Sequence, residues 1–326
     1  MEERGLVSMA MAGKKALVTG GAGFIGSHLC GVLIDRGWNV SVVDDLSSSD
    51  GSNIEGLGDR VSLHVGDIRD LDLMKGLLED SDALFNLAAM VSVPKSVQKP
   101  RECYEVNVTA FSDMLELLKD RPVPVVYASS AAIYGEGADD GPRRETELPM
   151  PQSPYGASKA MDELVAAAAF RCWGIPSVGL RFFNVYGPRQ NPEGPYASVI
   201  PRFTTALLDG RAVTVFGDGE QTRDFVHVED VARVMVKAAD EAQSIGGSVM
   251  NVGSGRRASV NEVYSLLSRL VSEKESPSFE PERPGDIRHS FADLSELRSL
   301  MDLSSFRSLE DGIDDTVSYY RRRCGL

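Results

Sequence analysis

Tyr155 and Lys159 stand four residues apart in Tyr155-Gly156-Ala157-Ser158-Lys159, with Ser129-Ser130 about 25 positions upstream. On a helix, residues at i and i+4 lie one above the other on a single face. An ammonium so placed favours the phenolate and lowers the pKa of a phenol, roughly 10 in isolation. Such a pair can exchange protons with a sugar hydroxyl near neutral pH. The spacing by itself is common on helix surfaces, so its weight depends on a second motif near the N-terminus.

That motif begins with Ala16-Leu17-Val18-Thr19, which reads as a short buried strand, followed by Gly20-Gly21-Ala22-Gly23-Phe24-Ile25-Gly26. Apolar periodicity through Ile25, Leu29, Val32 and Leu33 then predicts a helix. Gly20, Gly23 and Gly26 permit a tight turn, close backbone approach to a pyrophosphate, and close packing of helix on strand. Phe24 and Ile25 open the helix, whose free N–H groups and dipole suit phosphates. A second strand, Val40-Ser41-Val42-Val43, ends at Asp44, about 24 residues after Gly20. An acid there can accept hydrogen bonds from an adenosine ribose diol, which favours NAD over NADP. The competing reading is a glycine-rich turn with no ligand.

Two more strand ends fall on the same carboxyl edge of the expected sheet, where doubly wound folds bind ligands. One leads into Gly66-Asp67-Ile68, where Asp67 can meet an adenine amino group and Ile68 can cover the ring; Asp67 can equally cap the helix before Leu71. The other leads through Leu87 into Ala88 and Ala89, against the cofactor. Strand and helix alternate through the first half, which implies a parallel sheet with helices on both faces. The expected fold is therefore α/β, a Rossmann-type doubly wound sheet with a smaller C-terminal substrate-binding lobe. Residues 1–13 read as a disordered leader, 14–186 as the NAD-binding domain, and 187–326 mainly as the second lobe, with a possible return of the chain to the first. Helices are expected over 102–118, 154–172, 199–208, 228–239 and 260–271, and the Pro- and Gly-rich stretch 187–195 reads as a loop over the substrate.

Bulk properties narrow the classes. The chain has 326 residues, 42% hydrophobic and 25% charged, as in ordinary soluble proteins. Its net charge of −14 argues against non-specific nucleic-acid binding, which needs a basic surface. A doubly anionic ligand must then rely on local arginines against the global field. Cys30 and Cys172 fall on apolar helix patterns and are expected as reduced core residues. The four histidines lack metal-ligand spacing, so no metal is expected, and His28 reads as helix surface. No run of 18 apolar residues and no signal peptide is present, so no membrane association and a cytoplasmic location are expected.

Taken together, the motifs resemble the extended short-chain dehydrogenase/reductase family, and within it the UDP-sugar 4-epimerases, from about Lys15 to Asp293. Beyond the glycine loop and the Tyr155–Lys159 pair, the resemblance rests on Asn107, Ser129 through Gly135, Arg181 through Gly187, Arg223-Asp224-Phe225 and Arg283-Pro284-Gly285-Asp286. It implies Tyr155 as acid/base, Lys159 as its tuner and holder of the nicotinamide ribose, and Ser130 as hydrogen-bond partner of the reacting hydroxyl. Phe182 would lie beside the nicotinamide and Asn107 near the cofactor side of the cleft. Asn184, Arg223 and Arg283 would hold the uridine diphosphate and Asp286 the uridine ribose, with Ser92, Ser198 and Val199 also bordering the substrate. Arginines suit a pyrophosphate through paired, charge-assisted bonds, although each can also be a solvated surface charge. A homodimer through residues 102–118 and 154–172 is implied likewise.

Two departures sharpen the expectation. Relatives that dehydrate nucleotide sugars carry acids just after the serine, and many that decarboxylate glucuronate have a Glu there. This chain has Ala131 and Ala132, neither able to move a proton. Val91 replaces a lysine found in several glucose/galactose epimerases, while Met90 through Ser96 resembles the N-acetylhexosamine enzymes. In the family, a large residue shortly after the Arg283 segment excludes an N-acetyl group; the matching position here is the small Ser290. UDP-GlcNAc and UDP-GalNAc are therefore expected as substrates alongside UDP-Glc and UDP-Gal. The rivals are a dehydratase, a decarboxylase or a single-step reductase on nucleotide sugars, and a non-catalytic NAD-binding sensor.

Overall fold

The computed structural model describes residues 13–137, 140–193, 198–271, 276–282, 287–301 and 306–325. Its strands begin with Lys15–Thr19 (β1), Asn39–Asp44 (β2), Val61–Val65 (β3), Ala83–Asn86 (β4), Val125–Ser130 (β5) and Ser177–Phe182 (β6). Shorter ones follow: Asn184–Tyr186 (β7), Thr214–Phe216 (β8), Thr222–Arg223 (β9) and Phe225–His227 (β10). Ser248–Val252 (β11), Ala258–Ser259 (β12), Ser278–Glu280 (β13) and His289–Ser290 (β14) complete the set. Seven of them form one parallel sheet in the order β11-β6-β5-β4-β1-β2-β3. The strand order reverses between β1 and β4, so the binding crevice opens beyond the carboxyl ends of those two strands.

Phe24–Asp35 (α1), Leu71–Glu79 (α2), Val93–Gln98 (α3), Pro100–Tyr104 (α4), Ala110–Leu117 (α5) and Pro154–Trp173 (α6) flank or follow these strands. Val199–Leu208 (α7), Val228–Ile245 (α8), Val260–Val271 (α9), Ser295–Leu300 (α10) and Leu309–Cys324 (α11) belong to the second half. Alternation along β1 divides the packing. Ala16 and Val18 join a core with Leu29 and Leu33 of α1 and Val231 and Met235 of α8, whereas Leu17 faces Met74, Phe111 and Ala166 of α2, α5 and α6. Central strands β4 and β6 are buried along their whole length, as parallel strands covered on both faces must be. A third core, including Tyr186, Phe203, Val215, Leu267 and Val317, supports the second lobe.

The elements depart from expectation in informative places. Residues 102–118 are not one helix: a π-helical turn, Glu105–Thr109, separates α4 from α5. Such an inserted residue re-aims a side chain, here Asn107, into the molecule. The helix expected over 228–239 continues to Ile245 because Ala242 and Ile245 also bury themselves. After α8 the chain re-enters the large sheet as β11 beside β6. Cys172, expected in the core, is exposed, while Cys30 and Cys103 are buried.

Candidate active site

The glycine loop is a bare-backbone cradle. Gly20 has φ +68°, and a Cβ there would lie 2.8 Å from Ala88 N. A Cβ on Gly26 would come within 2.3 Å of Gly20 O. Any side chain at either place would push the strand ends apart or lift α1 off the turn. Gly23 opens α1 with no side-chain capping bond, which leaves the first helical N–H groups for a ligand. Thr19 Oγ1 donates to Asn86 Oδ1 at 2.7 Å and accepts from Leu87 N and Ala88 N at 3.1 Å, tying the β1 and β4 ends together. Leu87 and Ala88 are thereby held over the loop. Asp44, 6% exposed, accepts from Ala22 N at 3.0 Å and Leu46 N at 2.9 Å. Burial raises its pKa, and the two amides work against that rise. These residues fit a dinucleotide: a cradle without side chains, an open helix terminus and one carboxylate at the second strand end.

Contrary to its alternative reading, Asp67 does not cap the following helix. It pairs with Arg69 through Nε at 2.9 Å and Nη2 at 2.5 Å, which lowers its pKa. The cap of α2 is Asp70, whose carboxylate accepts from Leu73 N. Ile68 is 5% exposed and packs into the core against α2.

Ser130, Tyr155 and Lys159 are brought together at the neighbouring strand ends. Ser130 closes β5 and pairs in register with Phe182 at the end of β6. Ser130 Oγ accepts from Ala132 N at 3.1 Å. Helix α6 starts against this turn, with Ser153 as its cap accepting from Gly156 N, and Pro154 in its first turn. Gly156 is required because a Cβ there would sit 2.7 Å from Ala132 O. Ser96 Oγ accepts from Tyr155 N at 3.1 Å, and Ser92 caps α3 by accepting from Lys95 N. Asn107, 1% exposed, accepts from Met90 N at 2.7 Å and donates to Ser158 Oγ at 2.9 Å. It is therefore a strut between the β4 end and α6, reaching Ser158, one turn after Tyr155 and next to Lys159.

Lys159 is 3% exposed and donates to Asp162 Oδ2 at 3.0 Å. Burial disfavours its charge, but Asp162 and then Tyr155 outweigh that and raise its pKa. Burial pushes Asp162 up to about 6, with Lys159 opposing. Next to this pair, Glu163 takes a two-pronged bond from Arg181, 2.8 Å at Nε and 2.7 Å at Nη2. Ser129 Oγ also donates to Glu163, at 2.5 Å. Arg181 Nη1 donates to Tyr134 Oη at 2.8 Å, and Tyr134 donates to Asn251 Oδ1 at 2.6 Å. This buried chain locks β5, β6, β11 and α6 together beneath Ser130. Asp162 and Glu163 were missed from the sequence; the signal was their place at i+7 and i+8 from Tyr155, on its own helix.

The second lobe is looser. Arg223 lies beside Ser290 in the parallel β9–β14 pair, and its Nη1 donates to Thr222 O at 2.9 Å. Asn184 Nδ2 donates to Asp224 O at 3.2 Å. Asp224, fully buried, accepts from Ser254 N and Oγ at 2.6 and 2.7 Å, Gly255 N at 3.0 Å and Ala292 N at 3.1 Å. Ser198 accepts from Gln190 at 3.1 Å just before Val199 opens α7, again without a side-chain cap. Arg283 and Asp286 lie outside the described residues. His28, expected on the surface, is a contact between the halves: its Nε2 lies 2.9 Å from Pro188 O. Burial lowers its pKa to about 4.

Residues 16–253 match the NAD dependent epimerase/dehydratase family. A UDP-glucose 4-epimerase from Mycolicibacterium smegmatis is 36% identical over 315 residues, covering 95% of this chain and 99% of that protein. A UDP-N-acetyl-alpha-D-glucosaminuronate decarboxylase from Bacillus cytotoxicus is 31% identical over 318 residues, covering 94% and 98%. Among solved structures, the UDP-N-acetylglucosamine 4-epimerase from Methanobrevibacter ruminantium M1, in complex with UDP-N-acetylmuramic acid, is similar with TM-score 0.91. That structure is 35% identical, with 96% of this chain and 99% of that one covered. Agreement of this extent spans both lobes, and with it the chain is placed in the NAD-dependent epimerase/dehydratase family.

Proposed function

We propose that this enzyme is a UDP-sugar 4-epimerase that interconverts UDP-GlcNAc and UDP-GalNAc, and also UDP-Glc and UDP-Gal, through a 4-keto sugar. One observation carries the reading: the start of the Tyr155 helix packs against the turn that Ser130 opens, whose next positions, Ala131 and Ala132, hold no group able to move a proton. A dehydratase needs a further acid and base for elimination, and this turn offers neither. NAD, when bound, supplies hydride acceptance and return at one carbon, with no net oxidation. Tyr155 removes the proton of the 4-hydroxyl and later restores it, and Ser130 orients that oxygen. Asn184, Arg223 and Arg283 hold the uridine diphosphate and Asp286 the uridine ribose, so the sugar stays tethered while it turns over. Phe182, in register with Ser130, walls the reaction side. Ser290 leaves room for a 2-N-acetyl group, and a roomy pocket need not reject the smaller sugar.

The 31% identity to a decarboxylase supports a second reading, in which a uronic acid is the substrate. Incubation with UDP-GlcNAc, UDP-Glc and UDP-glucuronate, with products resolved by NMR, separates the two. C4 epimers of UDP-GlcNAc and UDP-Glc support the first reading, and turnover of UDP-glucuronate alone, CO2 release or a product of altered oxidation level overturns it. A homodimer through residues 102–118 and 154–172 is supported, on the second of these segments, by the exposed apolar side chains of Met161 and Leu164. A monomer in sedimentation would refute it. A cytoplasmic setting is in keeping with four free cysteines; among the described residues no helix is long and apolar enough to cross a membrane.

A further inference from the structure

Tyr155, Lys159 and Asp162 occupy positions i, i+4 and i+7 of α6 and so form one stripe along the helix. The Lys159 ammonium is bonded to the far end of that stripe, at Asp162 Oδ2, and both side chains are buried, 4% and 1% exposed. The other carboxylate oxygen, Asp162 Oδ1, is buried with no hydrogen-bond partner among the described residues. A half-satisfied buried carboxylate is unfavourable for folding, so its presence beside the proton-transfer pair calls for a functional reason.

The groups around Asp162 narrow that reason. Along α6 it faces Lys159, Glu163 and, two turns back, Tyr155; from α4 it feels Cys103, and from β5 Tyr127. Glu163 is committed to Arg181 on β6. Burial raises the pKa of Cys103 and of Tyr127, which keeps both neutral near pH 7. Lys159 is therefore the cation among these neighbours that Asp162 can engage, and Tyr155 and Asp162 compete for it. An ionised Asp162 divides the ammonium's field and opposes a second negative charge on the phenol. A neutral Asp162 leaves that field to Tyr155 undivided.

We propose that Asp162 is a positioning residue that holds the Lys159 ammonium and restrains the ionisation of Tyr155. The inference rests on the reading of Tyr155 as the acid/base group. Epimerisation uses one phenol as base and then as acid in every turnover, so a phenolate held too firmly would return its proton poorly. Asp162 sets that balance. Because burial pushes Asp162 up to about 6, the restraint is in force above that pH and relaxes as pH falls through it.

The test uses the NAD-loaded enzyme with its tyrosines carbon-13 labelled at the phenolic carbon, the Tyr155 signal being assigned with Tyr155→Phe. Two turns of helix separate the charges by about 10 Å, which at an effective dielectric of about 20 corresponds to a shift of roughly one pH unit. The Tyr155 signal of Asp162→Asn should therefore titrate about one unit lower than wild type, with the acid limb of kcat moving in parallel. Asp162→Glu should restore the wild-type midpoint. An unchanged midpoint in Asp162→Asn, or a shift to higher pH, overturns the proposal. Asp162→Ala gives the same readout should the Asn variant not fold. If the signal shifts as expected and no sugar is epimerised, the proposed activity fails and the role of Asp162 stands. If sugar is epimerised and the signal does not shift, the converse holds.

Discussion

On the cofactor side of the cleft, β1, β4, β5 and β6 lie side by side in one sheet, and Thr19, Asn86, Ser130 and Phe182 form a continuous edge. In the second lobe, where we propose that the substrate sits, Arg223 and Ser290 lie on strands of two residues each, and one carboxylate, Asp224, gathers the surrounding loops. The first side is braced by a sheet buried on both faces, the second by a few hydrogen bonds around a buried charge. Reacting atoms need placement within fractions of an ångström, which the sheet edge supplies. Selection among sugars needs volume and reach, which short strands and loops can change without disturbing the edge.

Four changes test this division, from the largest effect to the smallest. Tyr155→Phe removes the proton-transfer group from the rigid side and should lower kcat by about 10³-fold or more, while UDP-sugar binding measured by calorimetry persists. Near wild-type turnover would remove the basis of the assignment. Ser290→Tyr acts on the variable side and should reduce N-acetylhexosamine turnover by about 10²-fold and spare UDP-glucose. Equal loss on both sugars would mean that Ser290 does not border the 2-substituent.

Asp224→Ala strands four donors in the second lobe and should cost about 2 kcal/mol of stability. Substrate KM should rise while NAD affinity is retained; parallel loss of NAD binding would show that the two sides are not separable. The smallest effect concerns the junction. Burial lowers His28 to about 4 and His227 to about 3, so both rings are neutral in the folded protein. Unfolding below pH 6.5 lets them take up protons, so stability is full above that pH and declines towards pH 4. Each ring contributes at most about 1.4 kcal/mol per pH unit across that window. His28→Gln should flatten the acid side of a plot of Tm against pH, and an unchanged slope would locate the acid sensitivity elsewhere.

Much of the cofactor side was readable from spacing. Glycines at 20, 23 and 26, the acid at Asp44 and the Tyr155–Lys159 pair all depend on chain-local periodicity, and each sits at the strand end or helix face that periodicity predicts. The misreadings share a cause. Asp67 was offered as a cap for the helix before Leu71, yet Asp70 takes that place. Cys172 was placed inside from an apolar helix pattern, although that pattern includes a face left exposed by α6. His28 was placed outside because nothing local announces Pro188, 160 residues away.

The sequence by itself determined the chemistry available: a phosphate-cradling turn, a phenol with an ammonium on its helix face, and alanines where other reactions need acids. Those features repeat at intervals of a few residues, and the geometry of helix and strand translates such intervals directly into faces and edges. Only the tertiary structure decided which side chains are shared. That Lys159 leans on Asp162, that Asn107 turns inward through a π-helical turn, and that Arg181 and Glu163 lock beneath the serine depend on how distant elements come into register. Buried polar groups satisfy one another across space, and their choice of partner follows from packing, which no interval along the chain encodes.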